Sequence, residues 1–163
     1  MVGDHVAAAA LGEFVINDNY HPLDVWKVGL PETSHLFFVI VTPDLNKCSI
    51  SKRESENHTL KLISSVAKGD LKMLVCMLST EGSARSNWIP GFKEVINATI
   101  HVGSLGFRMS GSSPTVVGVT DNDEEAFNIT AKMVVTFDEI WEIKASAMVR
   151  TIDRLGCRVT ART

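Results

Sequence analysis

Cysteine is scarce: Cys48, Cys76 and Cys157 are the three in 163 residues. They are odd in number, widely spaced and include no C-x-x-C pair. That argues against a disulfide framework or a thiolate zinc site, and for small buried hydrophobes in a reducing compartment. Long apolar runs are missing too. None is longer than Leu36–Val41, far short of the roughly 20 residues that span a bilayer. No membrane partner is therefore expected. Neither sign of charge dominates, since 16 basic against 19 acidic residues leave a net charge of −3, which is no footprint for nucleic acid. His5, His21, His35, His58 and His101 show no H-x-H or H-x-x-x-H spacing, so no metal site is expected. No G-x-S-x-G elbow occurs, nor either glycine-rich phosphate motif, G-x-x-x-x-G-K-[ST] or G-x-G-x-x-G. No catalytic residue can be assigned. Repeats and low-complexity segments are absent as well.

What is present is ordinary for a globular domain: 45% hydrophobic and 21% charged residues. A chain of this length buries roughly 70% of its unfolded surface, enough for a core without staples. Asp4 is placed as an N-cap or first-turn acid for a helix over Val6–Leu11, with Gly12 closing it. No basic residue precedes those alanines, so the N-terminus has the pattern of neither a signal nor a transit peptide. Glu13–Ile16 reads as a short strand, Asn17–Asn19 as a turn, and Asp24–Leu30 as a half-buried strand. Leu36–Thr42 is continuous and β-branched, the pattern of a central strand covered on both sides.

Helices follow at about Thr59–Ala67 and after Asp70, where Leu71, Leu74, Val75 and Leu78 fall on one face. Another carries Phe92, Val95, Ile96 and Ile100 and stops near Gly103. Strands at Phe107–Ser110 and Thr115–Thr120 flank a turn. The next helix starts at Asp121–Asp123 with Phe127, Ala131, Val134 and Phe137 at helical spacing. In the tail, Ala145, Ala147 and Val149 alternate as in a strand. Asp153–Gly156 turns the chain before a further strand at Cys157–Val159. The order predicts an α+β fold, an antiparallel sheet with helices mainly on one face, and a βαββαβ arrangement in the second half.

Three polar stretches could carry chemistry. Asn46–Asn57 holds Lys47, Lys52 and Arg53, and Ser79–Asn87 holds Arg85. Either loop could meet an anion or simply be solvated. The third is the turn Ser110-Gly111-Ser112-Ser113-Pro114-Thr115. A phosphate cradle needs several backbone N–H groups, and Pro114 removes one. By itself the turn is a poor cradle.

The ordered set of segments resembles the C-terminal half of homoserine kinase, in the GHMP small-molecule kinase superfamily. Gly3-Asp4-His5-Val6-Ala7 is similar to H-A-D-N-V-A, and Val41-Thr42-Pro43-Asp44 with Lys52-Arg53 to V-S-P-E … M-R. Arg85 with Trp88-Ile89-Pro90-Gly91-Phe92 resembles R-x-x-L-I-P-G-F. Gly106–Thr115 resembles G-F-x-x-S-G-A-G-P-T, and Val149–Arg158 the family's closing strand pair.

The resemblance implies a ferredoxin-like C-terminal domain over 36–163, preceded by a remnant of inter-domain helix and strands over 1–35. It implies ATP and Mg²⁺ as cofactors and phosphoryl transfer to the side-chain hydroxyl of homoserine, in plastid or cytoplasm, and it allows a homodimer. Asp4 would face the substrate ammonium, and Arg53 and Arg85 its carboxylate. Ser110, Gly111, Ser112, Ser113 and Thr115 would support a nucleotide loop. The family's own phosphate loop, P-x-x-x-G-L-G-S-S-A, has no counterpart in this sequence. Ser112 and Ser113 stand for Ala and Gly. A serine at 113 would be strained by about 1 kcal/mol if φ there had to be positive. The chain alone is therefore expected to be inactive as a kinase. The alternative is a non-catalytic ferredoxin-like module, binding an amino acid or dimerising, or a degenerate remnant.

Overall fold

Side-chain alternation on the β-branched strands sets the architecture. The computed structural model describes residues 2–20, 23–45, 59–80, 89–110 and 113–160. In chain order these form α1 (Val2–Leu11), β1 (Phe14–Tyr20), β2 (Leu23–Val28), β3 (Phe37–Pro43), α2 (Thr59–Lys68) and α3 (Leu71–Thr80). There follow α4 (Phe92–Ile100), β4 (Gly106–Met109), β5 (Val116–Thr120), α5 (Asp123–Trp141) and β6 (Ala145–Thr151). As its composition predicts, β3 is central. It pairs antiparallel with β5 and β6 in a four-stranded sheet of order β4-β5-β3-β6. From β3 onward this is the expected ferredoxin-like βαββαβ arrangement. β1 and β2 make a separate antiparallel pair.

Register decides what each face presents. Val39 lies opposite Gly118 and Val149, and Val41 opposite Val116 and Ala147, so these residues share one face. Phe92 and Val95 of α4, with Ala126, Ile129, Met133 and Phe137 of α5, close that face into the main core. Burying a side chain such as Phe137 fully contributes on the order of 2–3 kcal/mol. On the reverse face Phe38 and Val119 meet Leu30, Leu36, Val66 and Leu74 in a second, smaller cluster.

Local signals explain the helix ends. The Asp70 carboxylate accepts from the Met73 amide at 3.0 Å, capping α3. Asn122 accepts from the Glu125 amide at 3.1 Å, while Glu125 itself accepts from the Thr120 hydroxyl at 2.8 Å. With Asp123, Glu124 and Glu125 in its first turn, α5 also suits the helix dipole.

The structure departs from the sequence pattern at several points. α1 starts at Val2, earlier than the expected Val6, which puts Asp4 in its first turn, one of the two places that the sequence allows it. Asn17–Asn19 belongs to β1, and the polar cluster produces an irregularity in its pairing with β2, not a turn. Phe127 is 68% exposed and Ala131 is exposed. The buried stripe of α5 runs through Ala126, Ile129, Met133, Thr136 and Phe137. One residue on a helix is 100° of rotation, enough to move Phe127 off the core. Similarly Ile100 is exposed while Thr99 is buried, its hydroxyl satisfied by the Val95 carbonyl at 2.7 Å. Cys76 and Cys157 are exposed, not core residues. Residues 152–160 form no strand.

Candidate functional site

The turn 110–115, between β4 and β5, is tied to the sheet's central strand, β3. The Ser110 amide donates to the Thr115 carbonyl at 2.9 Å and the Ser113 amide to the Ser110 carbonyl at 3.1 Å. The Ser113 hydroxyl accepts from the Thr115 amide at 3.3 Å. It also bonds the Thr115 hydroxyl at 2.8 Å. That hydroxyl in turn meets Thr42 Oγ1 of β3 at 2.9 Å. Three hydroxyls therefore run from the turn to the strand that organises the sheet. Thr115 is buried, where an unpaired hydroxyl would be costly.

This arrangement answers two expectations. Among the described residues the non-glycine positions with positive φ are Glu13 and Glu142; Ser113 is not one of them. Its serine is thus not strained, because the turn closes through a side-chain bond without a left-handed residue there. The amides of Ser110, Ser113 and Thr115 are all engaged internally, and Pro114 has none. The described part of the turn offers no N–H to a phosphate.

Of the other candidates, Asp4 lies in α1, whereas Arg53, Arg85, Gly111 and Ser112 lie outside the described residues. Ser110, Ser113 and Thr115 are brought together. Thr42 joins them, although its place within Val41-Thr42-Pro43-Asp44 gave no sign of a role. Among the described residues, no group of three or more His, Cys, Asp or Glu side chains is gathered as for a metal ion. No helix among them is long and apolar enough to cross a membrane.

A second cluster surrounds Arg154, one of four arginines (Arg150, Arg154, Arg158 and Arg162) that recur every four residues in the tail. Its Nη1 donates to Glu13 Oε1 at 3.1 Å and to the Leu30 carbonyl at 2.9 Å. Nη2 donates to the carbonyls of Pro31 at 3.3 Å and Ser34 at 3.0 Å. The Glu13 side chain is 8% exposed. Beside it, the amides of Leu155 and Gly156 donate to Asp153 Oδ1 at 3.0 and 3.3 Å. Those two bonds hold the Asp153 carboxyl below its ordinary value of 3.8, with smaller help from Arg158 and Lys27.

Similarity to known proteins agrees with this architecture. Residues 62–147 match the family model for the GHMP kinases C-terminal domain. The chain is 32% identical to homoserine kinase of Arabidopsis thaliana over 96% of its own length and 46% of that protein's. With homoserine kinase of Chloroherpeton thalassium it shares 27% identity over 96% of this chain and 53% of the relative. A crystal structure of homoserine kinase from Cytophaga hutchinsonii superposes with a TM-score of 0.77 at 27% identity, over 93% of this chain and 52% of that one. A mevalonate kinase from Staphylococcus aureus, 10% identical with a TM-score of 0.51 over 83% of this chain and 46% of its own, shares the fold. The chain spans about half the length of the curated relatives it matches. With the family model covering more than half of its residues on a ferredoxin-like sheet of the matching order, the chain belongs to the GHMP kinases, whose C-terminal domain it carries.

Proposed function

We propose that this chain supplies the amino-acid-binding half of a homoserine kinase site, for ATP-dependent phosphoryl transfer to the side-chain hydroxyl of L-homoserine. The observation that carries the reading is its similarity to homoserine kinases along 96% of its length. Homoserine presents an ammonium, a carboxylate and the acceptor hydroxyl. Asp4 suits the ammonium, and the guanidinium forks of Arg53 and Arg85 suit the carboxylate. The turn 110–115 then acts as a brace for a nucleotide-binding loop. Its described amides are engaged internally, so they hold no phosphate themselves. The described residues likewise supply no cage for Mg²⁺.

The engaged amides also favour a second reading, in which the chain binds an amino acid without catalysis. Separate calorimetric titrations of the purified chain with homoserine and with ATP·Mg²⁺, followed by an ADP-release assay, decide between them. Homoserine binding lost in Arg53→Ala and Arg85→Ala supports the site. ADP release dependent on homoserine rejects the non-catalytic reading. Binding of neither ligand rejects both.

A further inference from the structure

Helix α1 is fastened at its C-terminal end to other parts of the chain. Among its side chains from 6 to 11, Ala7 is buried, whereas Val6 and Leu11 are exposed. The last carbonyls of a helix have no partner within it, and here other parts of the chain gather them. The Cys157 amide donates to the Ala10 carbonyl at 3.1 Å. Lys27 Nζ donates to the Leu11 carbonyl at 2.7 Å and to the Arg154 carbonyl at 3.1 Å. The Glu13 amide donates to the Asp153 carbonyl at 2.6 Å.

Glu13 itself has φ of 59°. A non-glycine residue in that region persists only where its surroundings over-determine it. Those surroundings are the Arg154 guanidinium on its carboxylate, at 3.1 Å, and the Leu30 amide at 3.4 Å. The same guanidinium reaches the carbonyls of Leu30, Pro31 and Ser34. One planar fork therefore joins the junction after α1, the segment after β2 and the tail.

We propose that Arg154 is a positioning residue: acting through Glu13, it clasps the junction after α1 and so fixes the direction of that helix. The consequence for ligand binding rests on the amino-acid site proposed above, since α1 carries Asp4. Seven residues of helix make a lever of about 10 Å. A tilt of about 10° at the clasp then moves Asp4 by roughly 2 Å, and a misplacement of about 1 Å can cost 100-fold in a positioned site. A lysine at 154 keeps the charge but is a point donor, unable to reproduce the fork over four acceptors.

The test compares backbone amide exchange in the wild-type chain, Arg154→Ala, Arg154→Lys, Glu13→Gln and the control Arg150→Ala. Arg150 is exposed and bonds its neighbouring carbonyl. In Arg154→Ala, exchange should rise about tenfold or more over residues 8–13 and 153–157, with α5 and β3 unchanged. Arg154→Lys and Glu13→Gln should fall between, and Arg150→Ala should match the wild type. A uniform rise, or none at 8–13, in the two conservative variants overturns the clasp even if Arg154→Ala fails to fold. Homoserine titration is read separately. Where the wild type binds, Arg154→Lys should weaken binding severalfold, and unchanged affinity despite faster exchange at 8–13 overturns the positioning role. Absence of wild-type binding sinks the proposed amino-acid site, while the clasp is still decided by exchange.

Discussion

Gly12 and Gly156 cross main chain to main chain. A Cβ on Gly12 would lie 2.6 Å from the Gly156 nitrogen, and one on Gly156 would lie 2.7 Å from the Gly12 nitrogen. Both residues have positive φ, 68° and 71°. Alanine at either position should destabilise the fold by about 2–3 kcal/mol or more, combining backbone strain with a clash against main chain that cannot rotate away. Gly29→Ala is the control. Its Cβ would be 3.8 Å from Glu13 Oε1, so its change should stay within about 0.5 kcal/mol. Urea unfolding measures all three, and equal midpoints for Gly12→Ala and Gly29→Ala would refute the crossing.

The two phenylalanines of α5 should behave oppositely. Phe137 is fully buried and Phe127 is 68% exposed. Phe137→Ala should cost about 3–5 kcal/mol, the usual loss of transfer energy plus cavity. Phe127→Ala should fall within about 0.5 kcal/mol. Thermal or urea denaturation of both variants tells whether the helix is rotated as described.

The hydroxyl chain from Ser113 through Thr115 to Thr42 predicts coupling. Thr115→Val leaves the Thr42 hydroxyl without this partner, and Thr42→Val takes one of the two hydroxyl partners of Thr115, so their effects should not add. A double-mutant cycle should return an interaction of about 0.5–1 kcal/mol. Strict additivity would mean that the turn is not tied to β3.

Asp153 makes a pH prediction. Its carboxyl is held down by the Leu155 and Gly156 amides, so its folded value lies below its unfolded one. The unfolded chain then takes up the proton first as pH falls. The stability that Asp153 contributes is complete above the unfolded value of about 3.9 and is lost as pH falls through the folded value. Asp153→Asn should therefore be less stable than the wild type near pH 6, with the gap narrowing below about pH 4. A gap independent of pH between 6 and 3 would show that the two amides do not favour the charged form.

Much of the fold was legible because local chemistry and tertiary demand agree. The β-branched run before Pro43 could hardly be other than a central strand, and it is flanked on both sides by partners. Asp70 and Asn122 cap the helices that their positions announce. The ordered family segments were likewise readable from residue order, and the family match agrees with them.

Only the tertiary structure decided which way α5 turns its stripe, because Ala126 and Phe127 are both apolar and only contact with α4 and the sheet chooses between them. It also decided what Arg154 does. In sequence that residue is one of several spaced arginines, since its carboxylate partner lies 141 positions away and its other acceptors are backbone carbonyls. Carbonyls carry no residue-type signal. A bond made to them, like the approach of Gly12 to Gly156, exists only once the chain has folded back on itself.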